Sequence, residues 1–153
     1  MFYLCSLGSN IQPQKNITKA LSALLRHFQI ITLSPLVKTQ PYQMQTNHIF
    51  INALLSFQSN ENPQTVKSHF NQIETQLGRD RNDCHRKEKD RAIDLDIHYT
   101  GNTINMYDYL FEEPFLQQVA DTVNKKNNKD KLLIFQFKNQ HIGEKTVQVS
   151  AAK

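Results

Sequence analysis

The sequence predicts an α+β domain of the ferredoxin-like kind, βαββαβ with a C-terminal extension, on three observations. Two segments carry amphipathic helical spacing, and four strand-like segments flank them in the order strand, helix, strand, strand, helix, strand. The chain has 153 residues, enough to bury one core and too few for two comfortable ones, so 1–153 reads as a single domain. In this arrangement both helices pack on one face of a four-stranded antiparallel sheet, and the other face is left open for ligands.

Residues 2–7 read as a buried strand ending at Gly8-Ser9-Asn10, a turn cluster suited to passing the chain into a helix. Ile17, Ala20, Leu21, Leu24, Leu25 and Phe28 recur at three-and-four spacing and define that helix over about 14–27. From Phe28 to Lys38 the alternation is weak, and Pro35 places this strand at an edge or a bulge. Thr39 to His48 is a polar loop able to fold over a ligand. Ile49 to Gln58 is strand-like, with Phe50, Asn52 and Leu54 on one face. A second helix starts at Asn62-Pro63, carries Val66, Phe70, Ile73 and Leu77, and is capped by Gly78. Residues 79–91 have no apolar periodicity and hold six basic against four acidic residues, the pattern of a charged loop that is either a lid or a disordered segment. The strand at Asp94 follows, and Tyr99 to Asn102 turn it into Thr103-Ile104-Asn105. Beyond residue 106 the pattern weakens, and two short strands are expected at 132–137 and 146–149 around a loop containing Gly143.

With 18 Lys+Arg against 14 Asp+Glu, the formal charge of +4 favours anionic partners without demanding them. The sheet lacks the aromatic pattern of an RNA-reading surface, so nucleic acid is not an expected partner. No apolar run approaches a membrane span and the first residues do not form a signal peptide, which sets a cytoplasmic location as the expectation; a monomer is expected as well, with no membrane partner. Cys5 and Cys84 sit in dissimilar contexts, at no metal-ligand spacing and with no sign of a disulfide framework.

The chemistry concentrates in Arg91-Ala92-Ile93-Asp94-Leu95-Asp96-Ile97. On a strand Asp94 and Asp96 project to one side while Ile93, Leu95 and Ile97 enter the core. Two carboxylates so placed repel unless cations intervene, and hard divalent ions shared with substrate phosphates meet that need; the alternative is a solvated acidic strand face. Arg79, Arg81 and Arg91 suit phosphate oxygens, against the plainer reading of a solvated loop that also holds Lys87 and Lys89. Asn52 can read the amide-like edge of a heterocycle and Phe50 can stack on its ring, although a strand Phe is often simply core. His98 is expected to hydrogen-bond locally, not to bind metal.

These residues together resemble the 6-hydroxymethyl-7,8-dihydropterin pyrophosphokinase family, which transfers a pyrophosphoryl group from ATP to a pterin hydroxymethyl group in folate biosynthesis. The matching motifs are Leu7-Gly8-Ser9-Asn10, Thr39-Gln40-Pro41, Phe50-Ile51-Asn52-Ala53, Ile73-Glu74 with Gly78-Arg79, and Arg91 to Ile97, within about residues 1–114. The resemblance implies small-molecule substrates, ATP and a pterin, and two Mg²⁺ held by Asp94 and Asp96. It assigns Arg79, Arg91, Asp94 and Asp96 to catalysis. Glu74, Arg79, Arg81, Arg91 and Ile97 fall to ATP, and Thr39, Gln40, Tyr42, Phe50 and Asn52 to the pterin pocket.

The chain departs from the family where Lys89-Asp90 precede Arg91 and where Cys84-His85-Arg86 lie in place of an aromatic. After Pro114, Phe115-Leu116 and the stretch Gln117 to Asp121 lack the family's histidine, arginine and second pterin-stacking phenylalanine. Phe135 or Phe137 is the candidate replacement for the last, and Lys129 or Lys131 for the lost cation. A catalytically weak paralogue that keeps pterin or nucleotide binding is the alternative implied by these departures.

Overall fold

The central strand β1 (Phe2–Ser9) is paired on both sides along its length, antiparallel to β4 (Phe50–Gln58) and to β5 (Asp94–Gly101). A computed structural model describes residues 1–42, 46–79, 82, 90–103, 105–106 and 108–151. Arg81, Cys84, Lys87 and Lys89, with most of the charged loop, and Ile104 lie outside the described residues. The remaining strands of the main sheet are β2 (Ile30–Leu33), β3 (Val37–Thr39) and, after a separate hairpin of β6 (Phe135–Phe137) and β7 (Gln140–Ile142), β8 (Val147–Ser150). The sheet order β5-β1-β4-β2 is the ferredoxin-like order, extended by β8 beside β2, with β3 also on β4.

Helix α1 (Pro13–Phe28) and helix α2 (Pro63–Gln76) cover one face. Their apolar stripes, Ile17, Leu21, Leu24 and Phe28 on α1 and Val66, Phe70 and Ile73 on α2, meet Tyr3, Cys5, Leu7, Leu55, Phe57 and Leu95 in the main core. The Phe28 and Phe57 rings stack with centroids 3.9 Å apart. The Asn62 side chain caps α2 by accepting from Thr65 N–H at 2.8 Å, and Pro63 occupies the first turn, where a missing donor costs nothing. Gly78, at φ 111°, ends the helix in a conformation that disfavours a side chain, and Arg79 N–H closes on Glu74 O at 2.9 Å.

Strand β1 runs two residues beyond the expected turn, because Gly8 and Ser9 continue the ladder opposite Asn52 and Ile51. The expected strand over 28–38 divides in two. Leu33 pairs with Leu55 but Val37 with Asn52, so the chain takes one extra residue over Ser34-Pro35-Leu36, a bulge that accommodates the proline's missing N–H. Ser34 Oγ accepts from Leu54 N–H at 2.8 Å there, and the C-terminal segment bonds both backbone groups of Leu36.

The C-terminal extension holds more than the two expected strands. Helix α3 (Pro114–Ala120) is followed by a single 3-10 turn at Lys129–Lys131, a hairpin of β6 (Phe135–Phe137) and β7 (Gln140–Ile142), and β8. Leu116, Val119, Ala120 and Val123, with Met106 and Phe111, pack on Leu4, Val37 and Leu54, so one end of the second sheet face is covered and not open as expected. The described residues at 103 and 105 are not strand. Phe135 and Phe137, 7% and 2% exposed, belong to the main core on the helix side, which overturns their expected place in a ligand pocket. Three-residue strands with Phe at both ends turn both rings to the same side, and that side meets the core. Phe137→Ala should therefore lower unfolding free energy by ~3 kcal/mol or more, read from the urea midpoint.

Candidate active site

Residues paired across antiparallel strands project to the same face, and this places the candidate side chains in rows. Asp94, Gly8, Asn52 and Val37 form one row across β5, β1, β4 and β3; Asp96, Ser6 and Leu54 form the next, and Thr39 stands opposite Phe50. The covered end of the face begins at Leu54 and Val37, so Asp94, Gly8 and Asn52 lie towards the other end.

Gly8 is the empty place in its row. A Cβ there would sit 2.6 Å from Asn52 Oδ1, inside any permitted contact, so the Asn52 amide occupies the space a side chain would need. Asn52 Nδ2 donates to Thr39 Oγ1 at 2.7 Å, which fixes the amide. Thr39, Phe50 and Asn52 are all buried and adjacent. Gln40 and Tyr42, exposed, instead line a groove with Lys38, Phe115 and Lys131, in which the Tyr42 and Phe115 rings lie 5.7 Å apart. Phe115 thus stands near the expected pterin-side loop.

Two arginines converge on Asp94. Arg91 Nη1 donates to Oδ2 at 2.6 Å and Arg79 Nη1 to Oδ1 at 3.4 Å, with all three side chains three-quarters or more buried. The α2 terminus delivers Arg79, and Arg79 Nε is buried with no hydrogen-bond partner among the described residues. Asn10 delivers Arg91: its Oδ1 accepts Arg91 N–H at 2.6 Å and its own N–H donates to Arg91 O at 3.0 Å. Asn10 Nδ2 also donates to Asp90 Oδ1, whose other oxygen lies 2.5 Å from His48 Nδ1. Burial raises the Asp90 carboxyl, but hydrogen bonds from Thr46, His48 and Asn10 outweigh it and hold it below the ordinary carboxylate range.

Glu74 is only 2% exposed, and its Oε2 accepts Leu95 N–H at 2.7 Å. This puts the carboxylate behind the strand, between the two aspartates in sequence, rather than on an open surface. Asp96, half-exposed, pairs with Lys67 Nζ at 3.2 Å, and the same ammonium donates to Leu95 O at 2.9 Å. Ile97 lines a shallow groove with Lys67, Asn71 and Asp96. His98 forms the bulge of β5 and its Nε2 lies 2.7 Å from Ser6 Oγ, the local bond expected of it; burial lowers its pKa against the opposing pull of Glu113, Asp96 and Asp94. Burial also pushes the Cys5 thiol well up, leaving it an inert core group.

Arg79, Arg91, Asp94 and Asp96 are therefore gathered at one edge of the sheet and Thr39, Phe50 and Asn52 beside them, with Gly8 between. Arg81 lies outside the described residues. Sequence reasoning missed Lys67 and took Gly8 and Asn10 for a mere turn. Lys67 had a signal: it is seven residues, two helical turns, before Glu74 and so shares the side of α2 that reaches β5. Gly8 and Asn10 had the Leu7-Gly8-Ser9-Asn10 motif, but the contacts they make follow only from strand register and the fold.

No group of three or more metal-ligating side chains occurs among the described residues. Two aspartates alone nevertheless suit a hard divalent cation that takes its remaining oxygens from phosphates. The buried Arg79 N–H fits an anionic oxygen at the same place.

Comparison with known proteins agrees in kind. A 2-amino-4-hydroxy-6-hydroxymethyldihydropteridine pyrophosphokinase of Porphyromonas gingivalis is 33% identical over 94 residues, 60% of this chain and 64% of that protein. The enzyme of the same name from Haemophilus influenzae is 30% identical over 102 residues, 65% of this chain and 62% of that protein. The chain thus matches a little under two thirds of the length of these relatives. Residues 4–128 match the family model described as 7,8-dihydro-6-hydroxymethylpterin-pyrophosphokinase (HPPK), a span that takes in most of β1, both large helices, the Asp94–Asp96 edge and α3, and the chain belongs to that family.

Proposed function

We propose that this chain transfers a pyrophosphoryl group from ATP to the hydroxymethyl oxygen of 6-hydroxymethyl-7,8-dihydropterin, giving AMP and the pterin pyrophosphate. The observation that supports the reading is the single row Asp94, Gly8, Asn52 on three adjacent strands, from which a carboxylate for cation and phosphate and an amide for the pterin would act side by side. Transfer at phosphorus is chiefly positioning and charge neutralisation, and the row supplies both ends of the positioning.

Asn52, fixed by Thr39, offers its amide to the pterin's polar edge, and Phe50 gives its ring an apolar wall. Arg79 and Arg91, held by the α2 terminus and by Asn10, exchange part of their hold on Asp94 for phosphate oxygens. Asp94 and Asp96 would hold Mg²⁺ together with the nucleotide, and the bound ion would supply neutralisation of the charge that develops on the transferred group. Glu74, by bonding Leu95 N–H, keeps the two aspartates at fixed spacing; it acts as a positioning residue, in place of the adenosine contact expected of it.

One observation favours a second reading, a paralogue that binds pterin or nucleotide without efficient turnover. The segment Pro114 to Asp121 contains no cation, and Leu116 is spent in the covered end of the sheet. Appearance of AMP with pterin pyrophosphate from purified protein, ATP, Mg²⁺ and the hydroxymethylpterin supports transfer; saturable binding of both substrates without AMP supports the second reading.

Under the transfer reading Asp94→Asn and Asp96→Asn should each lower kcat by about three orders of magnitude; the melting temperature stays near that of the wild type in Asp96→Asn, whose ion pair is half-exposed, and falls in Asp94→Asn, which leaves two buried guanidinium groups without their anion. Gly8→Ala should weaken pterin binding tenfold or more by calorimetry, because the methyl displaces Asn52, with ATP affinity little changed. Glu74→Ala should cost ~1–3 kcal/mol of stability by leaving Leu95 N–H buried and unbonded, measured in urea.

A further inference from the structure

The two aspartates are neutralised in different ways. Asp94 is gripped by two guanidinium groups, with the Arg79 and Arg91 side chains 12% and 17% exposed and carried on fixed chain ends. Among the described residues Asp96 has one ammonium, that of Lys67, whose side chain is 41% exposed, and the Asp96 side chain itself is 49% exposed. Lys67 reaches Asp96 from α2 around the outer edge of β5, anchored by Leu95 O. A flexible four-carbon stem and a half-exposed pair make this contact weak and easily exchanged.

We propose that Lys67 is a displaceable counter-cation of Asp96, which makes divalent-cation binding depend on the nucleotide. The inference rests on the proposed role of Asp94 and Asp96 in holding that cation. Without nucleotide, an arriving cation must share or take the Asp96 carboxylate from an ammonium 3.2 Å away, and the two positive charges repel. A polyphosphate brings several negative charges to the same edge and gives Lys67 an alternative partner along the groove that it lines with Asp96 and Ile97. The cation and the nucleotide then tighten each other's binding, and Lys67 is the source of part of that coupling. A purely structural Lys67, stapling α2 to β5 through Leu95 O, would produce no such dependence.

Mn²⁺ binding followed by electron paramagnetic resonance separates these roles, in the full chain with and without α,β-methylene-ATP. Lys67→Gln keeps a donor for Leu95 O and removes the charge; Lys67→Arg keeps the charge. The expected result is Mn²⁺ binding about two- to fivefold tighter in nucleotide-free Lys67→Gln than in wild type, with Lys67→Arg close to wild type. The nucleotide should then improve Mn²⁺ affinity less in Lys67→Gln than in the other two proteins. Unchanged or weaker Mn²⁺ binding in nucleotide-free Lys67→Gln, with circular dichroism and melting like wild type, overturns the proposal. Lys67→Met serves the same test should Lys67→Gln melt early, since a half-exposed helical position tolerates either. If Asp96→Asn binds Mn²⁺ as well as wild type, Asp96 is no ligand and the underlying reading fails too; if Asp96→Asn loses binding while Lys67→Gln changes nothing, only the role of Lys67 falls.

Discussion

The pairing of β1 on both sides is the constraint from which the rest of the site follows. One strand fixes the register of two others, so Gly8 sets Asn52 and Asp94 in a line that neither of their own strands could establish. A slip of one residue in either pairing would turn the aspartates or the amide into the helix-side core, where Leu7, Ala53 and Leu95 now lie. The apolar alternation of all three strands therefore protects the polar row as firmly as it protects the core.

Fixed strands alone do not hold the charges. Two carboxylates two residues apart at a sheet edge strain against each other, and the surrounding chain answers with a buried acceptor and three cations. Glu74 secures the backbone between them, Arg79 and Arg91 share Asp94, and Lys67 attends Asp96. Each group arrives by a different device: the glycine stop of α2, the two-way clamp of Asn10, and a long side chain wrapped around the sheet edge. The same network in which Asn10 holds Arg91 extends to Asp90 and His48, so the end of the charged loop and the approach to β4 are bound to β1 at one point. Asp90 is a departure from the family pattern, yet it is hydrogen-bonded into this junction instead of being a bare surface charge.

The order of the elements, both large helices and the caps of α2 were legible in the sequence, because apolar spacing, Asn62-Pro63 and Gly78 act over a few residues. Pro35 correctly signalled a bulge or edge, although one-residue excess over Ser34-Pro35-Leu36 appears only when Leu33 and Val37 are seen against β4. The extension resisted reading for a different reason. Its strands are three or four residues long and its helix seven, too short for periodicity to speak, and Phe135 and Phe137 look alike whether they face a ligand or a core.

What the sequence determined by itself was the chemistry on offer: paired carboxylates on an alternating strand, arginines on either side of a charged loop, an aromatic and an amide two residues apart. Those properties depend on covalent order and on the two-residue period of a strand. Which groups meet was decided by tertiary structure alone. Gly8 became a space for Asn52, Glu74 a support for Leu95 and Lys67 the partner of Asp96 through strand register and helix docking, contacts between residues that are distant in the chain and leave no local periodic trace.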